Sequence, residues 1–131
     1  MINKVAFCAC SAVLIFGVAC NMCGTDVWQE VNSPDGKYKA VIFERDCGAT
    51  TDFSTQVSII KSSTSVGQGD SGNAFVADSN HGAVAVNGKG ILPIEVRWID
   101  SRTVEVSAPA KARVFSRRER VGDVNLQYRF E

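Results

Sequence analysis

The 131-residue chain predicts an all-β domain, mainly antiparallel, folded as a small sandwich or partly open barrel after an N-terminal signal helix. Three observations carry this. Apolar and polar residues alternate with period two in run after run, which is the signature of strands with one buried face. Turn-forming Pro, Gly, Asn and Asp separate those runs. Beyond the N-terminal segment no stretch carries an apolar stripe at i, i+3, i+4, so helix is a minor component at most.

The first element is the segment Met1–Cys23. Lys4 leads an uncharged apolar run from Val5 to Ala19, and small residues precede Cys20. That arrangement reads as a secretory signal peptide over residues 1–19, which sends the remainder out of the cytoplasm. Gly17-Val18-Ala19-Cys20 resembles a lipobox, with Ala19 as the required small residue and Cys20 as the thiol to be acylated; Gly17 stands where Leu is usual. Cleavage after Ala19 without acylation is the second reading, and an uncleaved anchor the third. Val5 to Met22 lies at the bottom of the length needed to cross ~30 Å of hydrocarbon, and Asn21 with no flanking basic cluster weakens the anchor. The expected organisation is a signal at 1–19, a tether at 20–25 and one β-domain at 26–131.

Asp26–Val31 is a weak strand candidate, closed by the turn Ser33-Pro34-Asp35-Gly36, where Pro presets φ and Gly admits φ > 0. Tyr38–Glu44 is apolar on both faces, as a central strand should be. Phe53, Thr55, Val57 and Ile59 share one face of the next. Residues 62–93 are soft: Ser and Gly dominate 62–73, with Ala74–Ala77 a weak strand inside. A long loop in a small domain is functional or disordered. Ile94, Val96 and Trp98 alternate with Glu95 and Arg97; Val104 and Val106 with Thr103, Glu105 and Ser107. Ala112–Phe115 is weak. Val124, Leu126, Tyr128 and Phe130 against Asn125, Gln127 and Arg129 is the cleanest alternation of all.

Without its signal the chain keeps about 110 residues, enough for one domain. Its net charge is then about −1, so no whole-domain field favours nucleic acid or anionic membrane. Charge is nevertheless uneven. Lys111, Arg113, Arg117, Arg118, Arg120 and Arg129 crowd the C-terminal region, either as a solvated strand face or as a docking site for an anionic partner. Of the five cysteines, Cys8 and Cys10 leave with the signal and Cys20 takes the lipid. Cys23 and Cys47 remain as an even pair in an oxidising compartment and are expected to form one disulfide.

Several motifs tempt and fail. Gly69-Asp70-Ser71-Gly72 copies the tetrad around a chymotrypsin-like nucleophile, but the single His, His81, follows the Ser instead of preceding it. Ser58-Ile59-Ile60-Lys61 matches S-x-x-K on a strand, where that nucleophile does not belong, and no K-T-G element follows. One His and one bridged Cys pair cannot make a zinc tetrad. Asp70, Asp78 and Asn80 offer oxygens suited to calcium in a spacing that fits no EF-hand. No metal, cofactor or catalytic set is therefore expected. Asn80-His81-Gly82 reads as a turn, His81 being the residue suited to titration near neutral pH. Glu44–Phe53 is the segment to watch: it joins two strong strands and holds Cys47. Arg45, Asp46, Thr50, Thr51 and Asp52, with His81, form the candidate binding surface.

Ser33–Val41 and Arg45-Asp46-Cys47-Gly48-Ala49-Thr50-Thr51, continuing to Ile59, resemble a family of small uncharacterised exported bacterial proteins, lipoproteins among them. Asn73–Asp78 and Val96–Asp100 continue the likeness over most of residues 30–107. The resemblance implies export and β structure and carries no activity. A fainter similarity links Ser33–Tyr38 to the Ser-Gly-x-x-Tyr loop of lipoprotein inhibitors of lysozyme, departing from it at Pro34 and Asp35.

The expectation is thus a non-catalytic envelope lipoprotein, anchored to the membrane through Cys20 and facing the periplasm or exterior. It would bind an envelope protein or cell-wall component and no nucleic acid. A free periplasmic or secreted domain is the alternative location. An inhibitor of lysozyme or another wall hydrolase is the alternative function, with a small hydrolase using the 69–81 loop a distant third.

Overall fold

A computed structural model describes residues 23–48, 53–67 and 69–131. The signal segment, Cys20, and Thr50, Thr51 and Asp52 of the candidate surface lie outside the described residues. Among the described residues nine strands form two sheets. One runs in the order β1 (Gly24–Asn32), β2 (Tyr38–Asp46), β3 (Ser54–Lys61), β4 (Phe75–Asp78), β7 (Arg113–Arg117). The other runs β5 (Glu95–Asp100), β6 (Thr103–Ala108), β9 (Val124–Phe130), β8 (Arg120–Val121). The sheets are mostly antiparallel, neither closes into a barrel, and they face each other in a sandwich-like arrangement. Among the described residues there is no helix. All the strand candidates are realised, the weak ones as β1, β4 and β7. Two-residue β8 was not foreseen; it is too short to show a period.

The inner faces follow the alternation. Ala40 and Ile42 of β2 lie opposite Ile59 and Val57 of β3, and with Phe75 and Ala77 they meet Val104, Val106, Val124 and Leu126 of the second sheet. Removing these side chains from water supplies the main driving force, at ~25 cal/mol per Å² of apolar surface. Polar contacts also join the sheets. Trp98 Nε1 of β5 donates to the Val31 carbonyl of β1 at 2.9 Å. The Tyr128 hydroxyl of β9 reaches the carbonyls of Ala74 and Arg118. Burial pushes that phenol up to about 12, so it remains a donor at any physiological pH. One pairing breaks the antiparallel rule: β6 and β9 run parallel, from Thr103↔Asn125 to Ala108↔Phe130.

The outer face of β2 is as dry as its inner face. Val41 and Phe43 are fully buried, and their neighbours on β3, Gln56 and Ser58, are nearly so. The described residues of the 62–73 segment fold over them as a strap. Gly72 N donates to Gln56 Oε1, Asn73 N to Ser58 Oγ at 3.1 Å, and the Asn73 amide bridges the backbone of Ile59 at 2.8 and 2.9 Å. A Cβ on Gly72 would stand 2.9 Å from both Gln56 Cβ and the Val57 carbonyl. Only glycine lets the strap lie this close. The soft loop is therefore an ordered cover for the second apolar face of β2.

The register also defines the two ends of the sandwich. Gly24↔Asp46, Arg45↔Ser54, Thr55↔Ala77 and Asp78↔Arg113 mark one end of the larger sheet. The 109–112 turn, held by the Asn80 side chain on the Lys111 carbonyl, brings the Ala108↔Phe130 end of the smaller sheet beside it. The Cys23–Cys47 disulfide, spanning 24 positions, sits at this end. At the opposite end, Arg102 pairs with Asp35 at 3.0 Å and ties the 33–37 turn to the β5–β6 turn.

Candidate functional site

The structure does not gather the candidate surface into one site. Arg45 turns onto the strap, where Nε and Nη2 donate to the Gly69 carbonyl at 3.3 and 2.9 Å. Thr25 Oγ1 accepts from Gly69 N at 3.2 Å. Asp46 Oδ1 accepts from Gly48 N at 3.0 Å. These three residues stiffen the disulfide corner. His81 lies two strands away, beyond β4, and its recorded polar contact is with Arg113. Ser58 is sealed within β3 beneath Asn73. The Asp70 carboxylate accepts from Gly67 N, whereas Asp78 engages Arg113, so the three calcium-suited residues are not collected either. Among the described residues no group of three His, Cys, Asp or Glu is placed to hold a metal ion.

An acidic corner does form. Asp26 faces Glu44 across the β1–β2 ladder, and Asp46 follows on the same face. Like charges directly opposite each other are destabilising. Glu44 Oε2 is buried with no hydrogen-bond partner among the described residues, pressed by Gly90 and beside Phe53. Burial first, then Asp46 and Asp26, hold the Glu44 carboxyl above the usual range. A raised acid destabilises the fold increasingly as pH climbs from the unfolded value through the folded one, and not at all below both. Glu44→Gln should therefore stabilise the domain by about 0.5–1 kcal/mol at pH 7, with the gain vanishing below pH ~4. Urea melts across pH 3–8 read both limbs.

The second cluster is centred on Arg113. Asp78, 3% exposed, receives Nε at 3.1 Å and Nη2 at 2.6 Å in a fork. Burial alone would raise the Asp78 carboxyl, but the Arg113 hydrogen bonds, the Asn80 N–H and the Arg113 charge bring it below its ordinary value. Arg113 Nη1 lies 3.1 Å from His81 Nε2. A guanidinium can only donate, so Nε2 is the acceptor and the imidazole proton sits on Nδ1. The chain reaches this geometry through Asn80 and His81, both at φ 56°, and Gly82 at φ 87°. Consecutive left-handed non-glycine residues are unfavourable by about 1 kcal/mol each, offset here by the Asp78–Asn80, Asn80–Lys111 and Ser79–Gly82 hydrogen bonds. The expected turn is present, and it serves to place an imidazole on an arginine.

The third cluster lies along β7, the edge strand of the larger sheet, and its neighbour β9. A bulge lets Phe115 stand out at 59% exposure, with the Arg113 guanidinium 5.0 Å from its ring centre. Arg117 lies 5.5 Å from the ring centres of both Tyr128 and Phe130, which stack nearly parallel to each other. A shallow hollow of about 360 Å³ opens here, lined by Arg117, Glu119, Leu126, Gln127 and Tyr128. Guanidinium planes resting on aromatic faces keep their N–H edges free for planar anions. Sequence reasoning found the basic residues of this region. It missed the aromatics, because the bulge sets Phe115 beside Arg113, and only the fold brings Arg117 of β7 onto Tyr128 and Phe130 of β9.

Comparison with family models, curated proteins and solved structures gives no match for this chain. Function must be argued from the side chains themselves.

Proposed function

We propose that the chain is a non-catalytic binding module of the cell envelope, exported by residues 1–19 and tethered through an acylated Cys20. Its partner is anionic, an acidic envelope protein or an acidic wall component. The observation that carries this reading is the Arg117–Tyr128–Phe130 stack beside exposed Arg118. Among the described residues neither arginine makes an ion pair with a carboxylate, so both have hydrogen-bonding capacity to offer. Arg and aromatic residues are also the types that dominate binding energy at interfaces. The Cys23–Cys47 disulfide supports an oxidising compartment, and the resemblance carried by Arg45–Ile59 supports export.

The test is retention of the purified domain on isolated wall material and on immobilised envelope proteins. Arg117→Ala with Arg118→Ala should weaken retention about tenfold, or ~1.4 kcal/mol, and raised salt should weaken the wild type similarly. Both substitutions are on exposed side chains, so melting temperature serves as the control. Equal retention of variant and wild type would sink the assignment of this surface; no retention of wild type on either material would sink the binding reading.

The inhibitor reading has less support. Asp46 is occupied by Gly48 N and Glu44 is packed beneath Gly90, so the acidic corner presents mainly Asp26. Ser33, the residue aligned with the inhibitor loop, is buried and its hydroxyl donates to Asp35.

A further inference from the structure

The disulfide decides which end of the sandwich faces the bilayer. Cys23 is 8% exposed and covalently fixed to Cys47 at the disulfide end. Gly24 then enters β1 directly, paired with Asp46. An acyl group on Cys20 is therefore separated from the rigid body by three residues, a reach of at most about 11 Å. That is less than the thickness of the sandwich itself, two sheets ~10 Å apart plus their outer side chains. The domain has too little slack to invert, so the loops of the disulfide end are those held against the headgroups.

Those loops carry suitable side chains. Phe53 is 50% exposed and Val86 43%. They belong to one neighbourhood, because Gly90 packs against Phe53 while Asn87 Oδ1 ties Lys89 and Ile91 into the same turn. Lys89 stands exposed in that turn, and Lys111 in the 109–112 turn of the same end. Apolar tips on an end that also carries Lys89 and Lys111, beside the Asp26–Glu44–Asp46 corner, offer a contact to the acyl boundary and two cations to the phosphate level.

We propose that the sandwich rides on a phospholipid bilayer with its disulfide end down, Phe53 and Val86 at the acyl boundary, Lys89 and Lys111 at phosphate level. The 33–37 and β5–β6 turns, joined by Arg102 and Asp35, then face away from the lipid. This rests on the tether proposed above. The occupant is the membrane, since the anchor's own length dictates the contact.

The experiment uses full-length processed protein in vesicles containing brominated phosphatidylcholine. Tryptophan reporters are placed at Phe53→Trp and, at the opposite end, Lys37→Trp, each in a Trp28→Phe background with Trp98 common to both. Lipid quenching at Phe53→Trp should exceed that at Lys37→Trp by about threefold, as expected for a side chain ~5–10 Å deep compared with one in water. Equal quenching at the two positions, or none at either on protein whose Cys20 carries the acyl group, would overturn the orientation. Mass spectrometry of the same sample reads that group; its absence overturns the tether and the orientation with it.

Discussion

Arg113→Ala should destabilise the domain by about 3 kcal/mol, at the lower end of the range for removing one partner of a buried ion pair. The expectation follows from the asymmetry of the Asp78–Arg113 pair. The Asp78 side chain is 4% exposed and that of Arg113 38%. Without the guanidinium, the Asp78 carboxylate remains buried with the Asn80 N–H as its recorded donor. Without the carboxylate, Arg113 turns to solvent. Asp78→Asn should accordingly cost less, about 1–2 kcal/mol. The pH dependence has a definite sign. The Asp78 carboxyl is lowered in the folded state, so its stabilisation is fully present above the unfolded carboxylate value and is lost as pH falls through the folded one. Wild type and Arg113→Ala should thus differ most near pH 7 and converge toward pH 2. Urea melts at those two values decide it; a gap independent of pH would show that Arg113 acts by packing on Phe115 alone.

Loss of the disulfide should cost a comparable amount. Cys23→Ser with Cys47→Ser should cost about 3 kcal/mol through the loop entropy returned to the unfolded chain. A domain of this size has only ~5–15 kcal/mol in total. Reductant should bring the wild type to the stability of the double variant and leave the variant unchanged. The loss should be felt at the strap as well, since Arg45 and Thr25 hold Gly69 from the two strands the disulfide joins. Hydrogen exchange at Gly69 would then rise with that of Gly24.

Period-two alternation was enough to place the longer strands, and setting aside Cys8, Cys10 and Cys20 as an expected signal and lipid site left Cys23 and Cys47 to pair, as they do. What the sequence left hidden has specific physical causes. The two-faced apolar run of β2 said that both faces are covered without saying by what, and the strap's evidence is a close approach at Gly72 and an Asn73 amide serving as a false strand partner. Alternation is also blind to direction, so nothing marked β6 and β9 as parallel. The Arg113 cluster joins residues about 30 positions apart, through a left-handed turn and a bulged edge strand that composition does not reveal. Arg45 and Asp46 were correctly seen as belonging to the Cys47 corner, yet side-chain charge alone could not show that both are turned to backbone groups instead of solvent.

The parallel pairing has a consequence for when this protein is able to fold. β9 is the last strand of the chain, and it lies between β6 and β8 at the middle of its sheet. Until Val124–Phe130 has emerged, the β5–β6 hairpin keeps a bare edge, and Val104 and Val106 lack Val124 and Leu126. The route from β6 to β9 also passes through β7 in the opposite sheet, so the larger sheet has all its strands before the smaller one is complete. The facing core of the two sheets therefore stays open until Val124 and Leu126 are inserted beside Val104 and Val106.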